Sequence, residues 1–204
     1  MSADRRGSQD RRDRPGRGEG ADRLTEVLDA AFACLARYGA RRTTMDDIAA
    51  EVGVSRSALY QYVRNKDDAF RQLAERLHGR ASERARRAAR ARGGAADRVA
   101  GVLGAKLDLA LELRGHSPHT VELMDEHARV FGDVCARFTG DIRELLVAIF
   151  TEAGTAGGVT PEDAADSCLA LAVGLERHSA AQRLIGPAAR VLAEGLAAQG
   201  GQGR

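Results

Sequence analysis

Apolar residues recur along most of this chain at spacings of three and four, the period of an amphipathic helix. Leu24, Val27, Leu28, Ala31 and Leu35 form one such stripe. It predicts a helix that starts near Asp22 as N-cap and closes at Tyr38-Gly39. Thr44 and Asp47 stand three apart, a cap followed by an acid at the third helical position. They introduce a second helix whose buried side is Met45, Ile48, Ala49 and Val52. Gly53 follows at once, and a tight turn between helices calls for a residue that takes positive φ without a steric penalty. Ser55 then caps a short third helix with Leu59 and Val63 facing inward. Asn65 caps a fourth, with Asp67 and Asp68 in the first turn, where the helix dipole favours negative charge.

Phe70, Leu73 and Leu77 continue the inner face of the fourth helix. The stretch from Arg80 to Arg92 carries six arginines against Glu83 alone, and it reads as an exposed, solvated extension ending at Gly93-Gly94. Helix then follows helix. One is expected over about 96–114, on Val99, Leu103, Leu107 and Ala110, and a short one after the Ser117 cap and Pro118. A long one is expected over about 130–153, ended by Gly154, Gly157 and Gly158. Thr160-Pro161-Glu162-Asp163 opens another that runs to about 178, and a last one starts near Gly186-Pro187. No region shows period-two alternation of β-branched residues, so the fold class is all-α. Residues 1–21 hold Arg, Asp, Gly and Ser with almost no large apolar side chain, and they read as a disordered basic tail. Residues 200–204 read as a loose end.

Charge sharpens this division. Residues 1–95 carry 21 Lys and Arg against 14 Asp and Glu, a balance of +7, while the remainder carries 10 against 15, a balance of −5. A basic front half suits a polyanionic partner. Cys34, Cys135 and Cys168 are odd in number and widely spaced, which argues against a disulfide framework and a zinc site. No apolar run reaches the ~18 residues of a membrane span, and no apolar leader precedes the first helix. A cytoplasmic protein without a membrane partner is expected.

Thr43 to Lys66 is the informative stretch. Two short helices joined by Val52-Gly53-Val54, with Ile48, Val54 and Leu59 inward to fix their crossing, make a helix-turn-helix, whose second member enters the DNA major groove. That member offers Arg56, Ser57, Ala58, Tyr60, Gln61 and Tyr62. Small residues near its start allow close approach, and Arg56 and Gln61 can hydrogen-bond base edges. Lys66 can meet a phosphate beside free backbone N–H groups. The pattern Thr43-Thr44, Ile48-Ala49, Gly53-Val54-Ser55, Leu59-Tyr60, Tyr62 and Lys66 resembles the amino-terminal domain of the TetR family of repressors, over about residues 22–78. The resemblance implies phosphate contacts from Thr44, Tyr60, Tyr62 and Lys66 and base reading by Arg56, Ser57 and Gln61, with Thr43, Ser55 and Ala58 in the same surface. Val63 stands where the family often has phenylalanine, so a looser contact between helices three and four is expected.

The resemblance further implies an effector-binding and dimerisation domain over 79–199, pairing across a two-fold axis through helices at about 161–178 and 187–198. An unidentified small molecule and double-stranded operator DNA are the implied partners, and release of a palindromic operator by the small molecule is the implied action. Met124, His127, Phe131, Cys135, Phe138 and Cys168 are candidate pocket-lining residues, each of which core packing also explains. His116, His119 and His127 with Glu122 match no compact metal site, and Cys34 or Cys135 as a redox sensor has little support, so neither a metal nor a cofactor is expected. A helical enzyme is the competing reading, but no phosphate loop, nucleophile elbow or zinc-helix motif is present. A scaffold that has lost DNA binding is the other, and the intact Thr44, Tyr60 and Lys66 argue against it.

Overall fold

The computed structural model describes residues 17–117 and 128–198. Eight helices lie among them. They are α1 (Arg17–Arg42), α2 (Met45–Val52), α3 (Arg56–Leu59), α4 (Lys66–Ala89), α5 (Ala95–Gly115), α6 (Ala128–Ala153), α7 (Pro161–Leu175) and α8 (Ala181–Leu196). The described residues contain no strand, only an isolated bridge between Thr155 and Ala197. The short helix expected after Ser117-Pro118 lies outside the described residues.

Local chemistry explains most of the boundaries. Thr44 and Asp47 form the reciprocal capping box: the Thr44 hydroxyl accepts from the Asp47 N–H at 3.1 Å, and the Asp47 carboxylate accepts from the Thr44 N–H at 2.8 Å. Ser55 caps α3 through the Ala58 N–H at 3.2 Å, and Asn65 caps α4 through the Asp68 N–H at 2.8 Å. Thr160 caps α7 with Pro161 behind it. Gly53 adopts φ 76 and ψ 34, the left-handed conformation that ends α2. A side chain there would strain the turn that sets α3 against α2.

Three features differ from expectation. The first helix starts at Arg17 rather than near Asp22, so residues 17–21 belong to α1 and not to the amino-terminal tail. The last helix starts at Ala181 and carries Pro187 inside it. Its apolar face reaches back past the proline to Ala181 and Ile185, both buried, and that packing outweighs the one hydrogen bond the ring removes. The second half of α4 is not a solvated linker either. Ala81, Ser82, Ala85 and Ala89 are buried, and these small residues let α5 and α6 approach; Arg80, Arg87 and Arg90 are exposed, while Arg84 is half-buried and Arg86 donates to Asp141 of α6 at 3.2 Å. The approach is close: a Cβ added at Gly101 on α5 would stand 2.8 Å from the Ala88 Cβ.

The core runs unbroken from one end of the molecule to the other. Ile48, Leu59, Val63 and Phe70 close the small amino-terminal bundle, and Val63, between α3 and α4, is 1% exposed. Leu103, Leu107, Ile142, Leu146, Ile149 and Phe150 fill the larger body. Between the two, Arg76 of α4 grips Asp29 and the Thr25 carbonyl of α1, Arg71 of α4 binds Asp133 of α6, and Phe32 of α1 meets the His116 ring edge-on at 5.0 Å. Long α4 therefore belongs to both domains.

Candidate nucleic-acid interface

Helix α3 is four residues long, too short to persist on propensity. Leu59, fully buried, and the Ser55 cap hold it, while its other sides remain open. Arg56, Ser57, Tyr60 and Gln61 are exposed, Tyr60 to 45%, and Ala58 is half-buried. The Arg56 guanidinium lies 2.9 Å from the Asp46 carboxylate and 3.2 Å from the Tyr60 hydroxyl, with its carbon 5.7 Å from the Tyr60 ring centre. Asp46, which sequence reasoning passed over, thus shares the surface with the proposed base reader. Ser55 and Ser57 bring their hydroxyls within 3.0 Å of each other. Thr44 is exposed beside them, its hydroxyl engaged with Asp47, whose carboxyl those Thr44 bonds hold below its ordinary value.

Three expected contacts sit differently. Thr43 is 1% exposed, and its hydroxyl donates to the Gly39 carbonyl at 2.8 Å, so it braces the end of α1 from within. Tyr62 is half-buried and packs on the core. Lys66 sends its ammonium back to the Ala40 carbonyl at 2.8 Å and the Arg41 carbonyl at 3.5 Å. Lys66 therefore satisfies carbonyls at the close of α1, and a phosphate would have to draw it away. Only a fold that returns α4 to the end of α1 makes that contact, so local sequence carried no signal of it.

In the larger body, Met124 and His127 lie outside the described residues, as does the side chain of Phe131. Cys135 is exposed, and Phe138 is buried with its ring edge-on to His78 of α4 at 5.1 Å. Cys168 is fully buried, which pushes its thiol up to about 11, and Cys34 is raised to about 11 mainly by burial as well. Neither thiol is a ready nucleophile at neutral pH. His116 packs on Phe32, while His119 and Glu122 lie outside the described residues. Among the described residues, no group of three His, Cys, Asp or Glu is placed to hold a metal ion. No helix among them is long and apolar enough to cross a membrane. The chain reading missed Lys106, Arg114 and Glu176, which form a charged knot inside this body. The one available signal was Lys106 itself, a cation on a face made otherwise of Val102, Leu103 and Leu107.

Residues 27–73 match the family model described as bacterial regulatory proteins, tetR family. Over 47 residues the chain is 43% identical to an uncharacterized HTH-type transcriptional regulator of Mycobacterium tuberculosis strain H37Rv, covering 23% of this chain. The match spans only 20% of that relative's length. The fold resembles that of a proposed transcriptional regulator from Pseudomonas aeruginosa PAO1, at TM-score 0.71 and 25% identity, across 88% of this chain and 92% of that one. It also resembles SmeT, the repressor of a Stenotrophomonas maltophilia multidrug efflux pump, solved with triclosan, at TM-score 0.66 and 22% identity, across 88% and 93%. The capped two-helix unit therefore lies within a segment, residues 27–73, that matches the tetR family of bacterial regulatory proteins, and the helices around it share their fold with the structures named above.

Proposed function

We propose that the protein is a ligand-responsive transcriptional repressor that holds a palindromic operator as a homodimer and leaves it when a small molecule binds the larger domain. The observation that carries this reading is the exposure of Arg56, Ser57, Tyr60 and Gln61 on α3 and the turn that follows it, held from behind by Leu59. Side chains of that chemistry on a groove-sized helix suit base edges and phosphates. Thr44 and Ser55 are exposed as well, at the caps of α2 and α3.

Two features support the rest of the reading. Val173 on α7 and Val191 on α8 are 55% and 71% exposed, apolar groups on the two helices expected to pair with a second copy. A two-fold axis there would set two readers about one DNA turn, roughly 34 Å, or a multiple apart. Helix α4 supplies the link, since Asn65 and Lys66 at its start adjoin α3 while His78 borders the body's interior. A small molecule that moved α4 would change the spacing of the readers and so operator affinity. SmeT, bound to triclosan, is a protein of like fold with a small molecule in its structure.

The test is fluorescence anisotropy on a labelled fragment of the adjoining promoter, with a scrambled duplex as competitor. Arg56→Ala is expected to weaken promoter binding roughly ten- to hundred-fold while changing scrambled-duplex binding far less. Equal affinity of the native protein for promoter and scrambled duplex at physiological salt would remove the reading.

A further inference from the structure

Lys106 stands mid-way along α5 among buried Val102, Leu103, Leu107 and Leu109, and is itself only 9% exposed. A buried ammonium is costly unless paired. Its Nζ donates to Glu176 Oε1 at 2.7 Å. Glu176 is the C-cap of α7, where the negative end of the helix disfavours a carboxylate. Cations keep it there. Arg114 of α5 donates to the Glu176 main-chain oxygen, and its other guanidinium nitrogen lies 3.5 Å from Glu176 Oε2. One carboxylate thus serves two cations, and among the described residues neither cation has another acid paired with it.

His78 of α4 lies within electrostatic reach of the same ammonium. Its Nδ1–H donates to the Ala74 carbonyl at 2.8 Å, and its ring stands edge-on to Phe138 of α6. Burial first, and the Lys106 charge in addition, hold the imidazole below its ordinary value, so it is neutral at pH 7. Helices α4, α5 and α6 pack on one another, and Lys106 ties α5 to the end of α7. On one side are two cations sharing an acid, and on the other a neutral imidazole and an aromatic ring.

We propose that the effector is an organic acid, a carboxylate on an apolar body. Its carboxylate replaces the Glu176 side chain between Lys106 and Arg114, and its body lies toward Phe138 and His78. This rests on the regulator reading above and gives it a chemical class. Displacing Glu176 loosens the tie between α5 and the end of α7, and the apolar body bears on α4, the helix that carries the readers.

The probes are decanoate, decanamide and decyltrimethylammonium, one chain length with charge −1, 0 and +1, titrated into the full-length protein by calorimetry. Decanoate is expected to bind roughly ten-fold or more tighter than decanamide, as a charge-assisted contact implies, and the cation not to bind. Lys106→Met should erase the preference for the acid. Glu176→Gln, by removing the internal competitor, should tighten decanoate binding roughly ten-fold. Should Glu176→Gln fail to fold, Lys106→Met decides alone: an unchanged preference for decanoate over decanamide overturns the proposal. Equal binding of amide and acid overturns it, as does no binding of any probe. Promoter binding is measured on the same preparation. If it persists without an acid preference, this inference falls and the regulator reading stands; an acid preference without promoter binding is the reverse.

Discussion

Leu59→Ala is expected to cost about 2–5 kcal/mol of stability and to weaken promoter binding with it. The size follows from where Leu59 sits. It is fully buried, and it anchors a helix of four residues that has little else to hold it. The Leu59 N–H donates to Ser55 at 3.0 Å, and its carbonyl accepts from Tyr62 at 3.0 Å and Val63 at 3.2 Å, so the backbone of the whole reader turns about this residue. Removing its side chain leaves a void under Arg56, Ser57, Tyr60 and Gln61, the exposed set. Thermal melts should show the stability loss. Far-UV circular dichroism well below the melt should change little, because the long helices lie elsewhere. Promoter affinity at that same temperature should fall by at least tenfold. A Leu59→Ala protein that reads its promoter as well as the native one would show that α3 is not positioned by this contact.

Glu176→Ala is expected to cost about 3–5 kcal/mol, and Lys106→Met to cost far less, although both break the same ion pair. The asymmetry is the point. Taking away Glu176 leaves the Lys106 ammonium, 9% exposed, without its carboxylate in apolar surroundings. Taking away Lys106 substitutes an apolar side chain of similar length, and Glu176 keeps Arg114. Chemical denaturation of the two variants reads the difference directly. Equal losses would mean that the pair is solvated and that no cation is stranded when its partner goes.

Local signals made much of the reader legible from the chain. Thr44 with Asp47, Ser55, Asn65 and the Thr160-Pro161-Asp163 start each act within one helical turn, and each caps the helix it was expected to open. Gly39 and Gly53 both take positive φ where turns were expected. What escaped depends on distant packing. Lys66 reaches carbonyls at the end of α1, and Thr43 turns inward because Gly39 breaks that helix just ahead of it. The arginine-rich half of α4 hid its buried side, since Ala81, Ala85 and Ala89 carry almost no hydropathy signal of their own, yet small volume is what admits α5 and α6. Pro187 looked like a start, because a proline belongs in a first turn unless tertiary contact on both sides carries the helix through it. Charges at Lys106, Arg114 and Glu176 are far apart in the chain and meet only in the packed bundle.

The most direct test of the central claim is a salt titration of the purified protein on its own promoter fragment, with hydroxyl-radical footprinting at the lowest salt. The account predicts two protected half-sites centred one helical turn or a multiple apart, and an affinity that falls steeply with salt as counterions are released. It also predicts that Arg56→Ala blurs both half-sites together. Uniform protection without half-sites, or an affinity indifferent to salt, would contradict it.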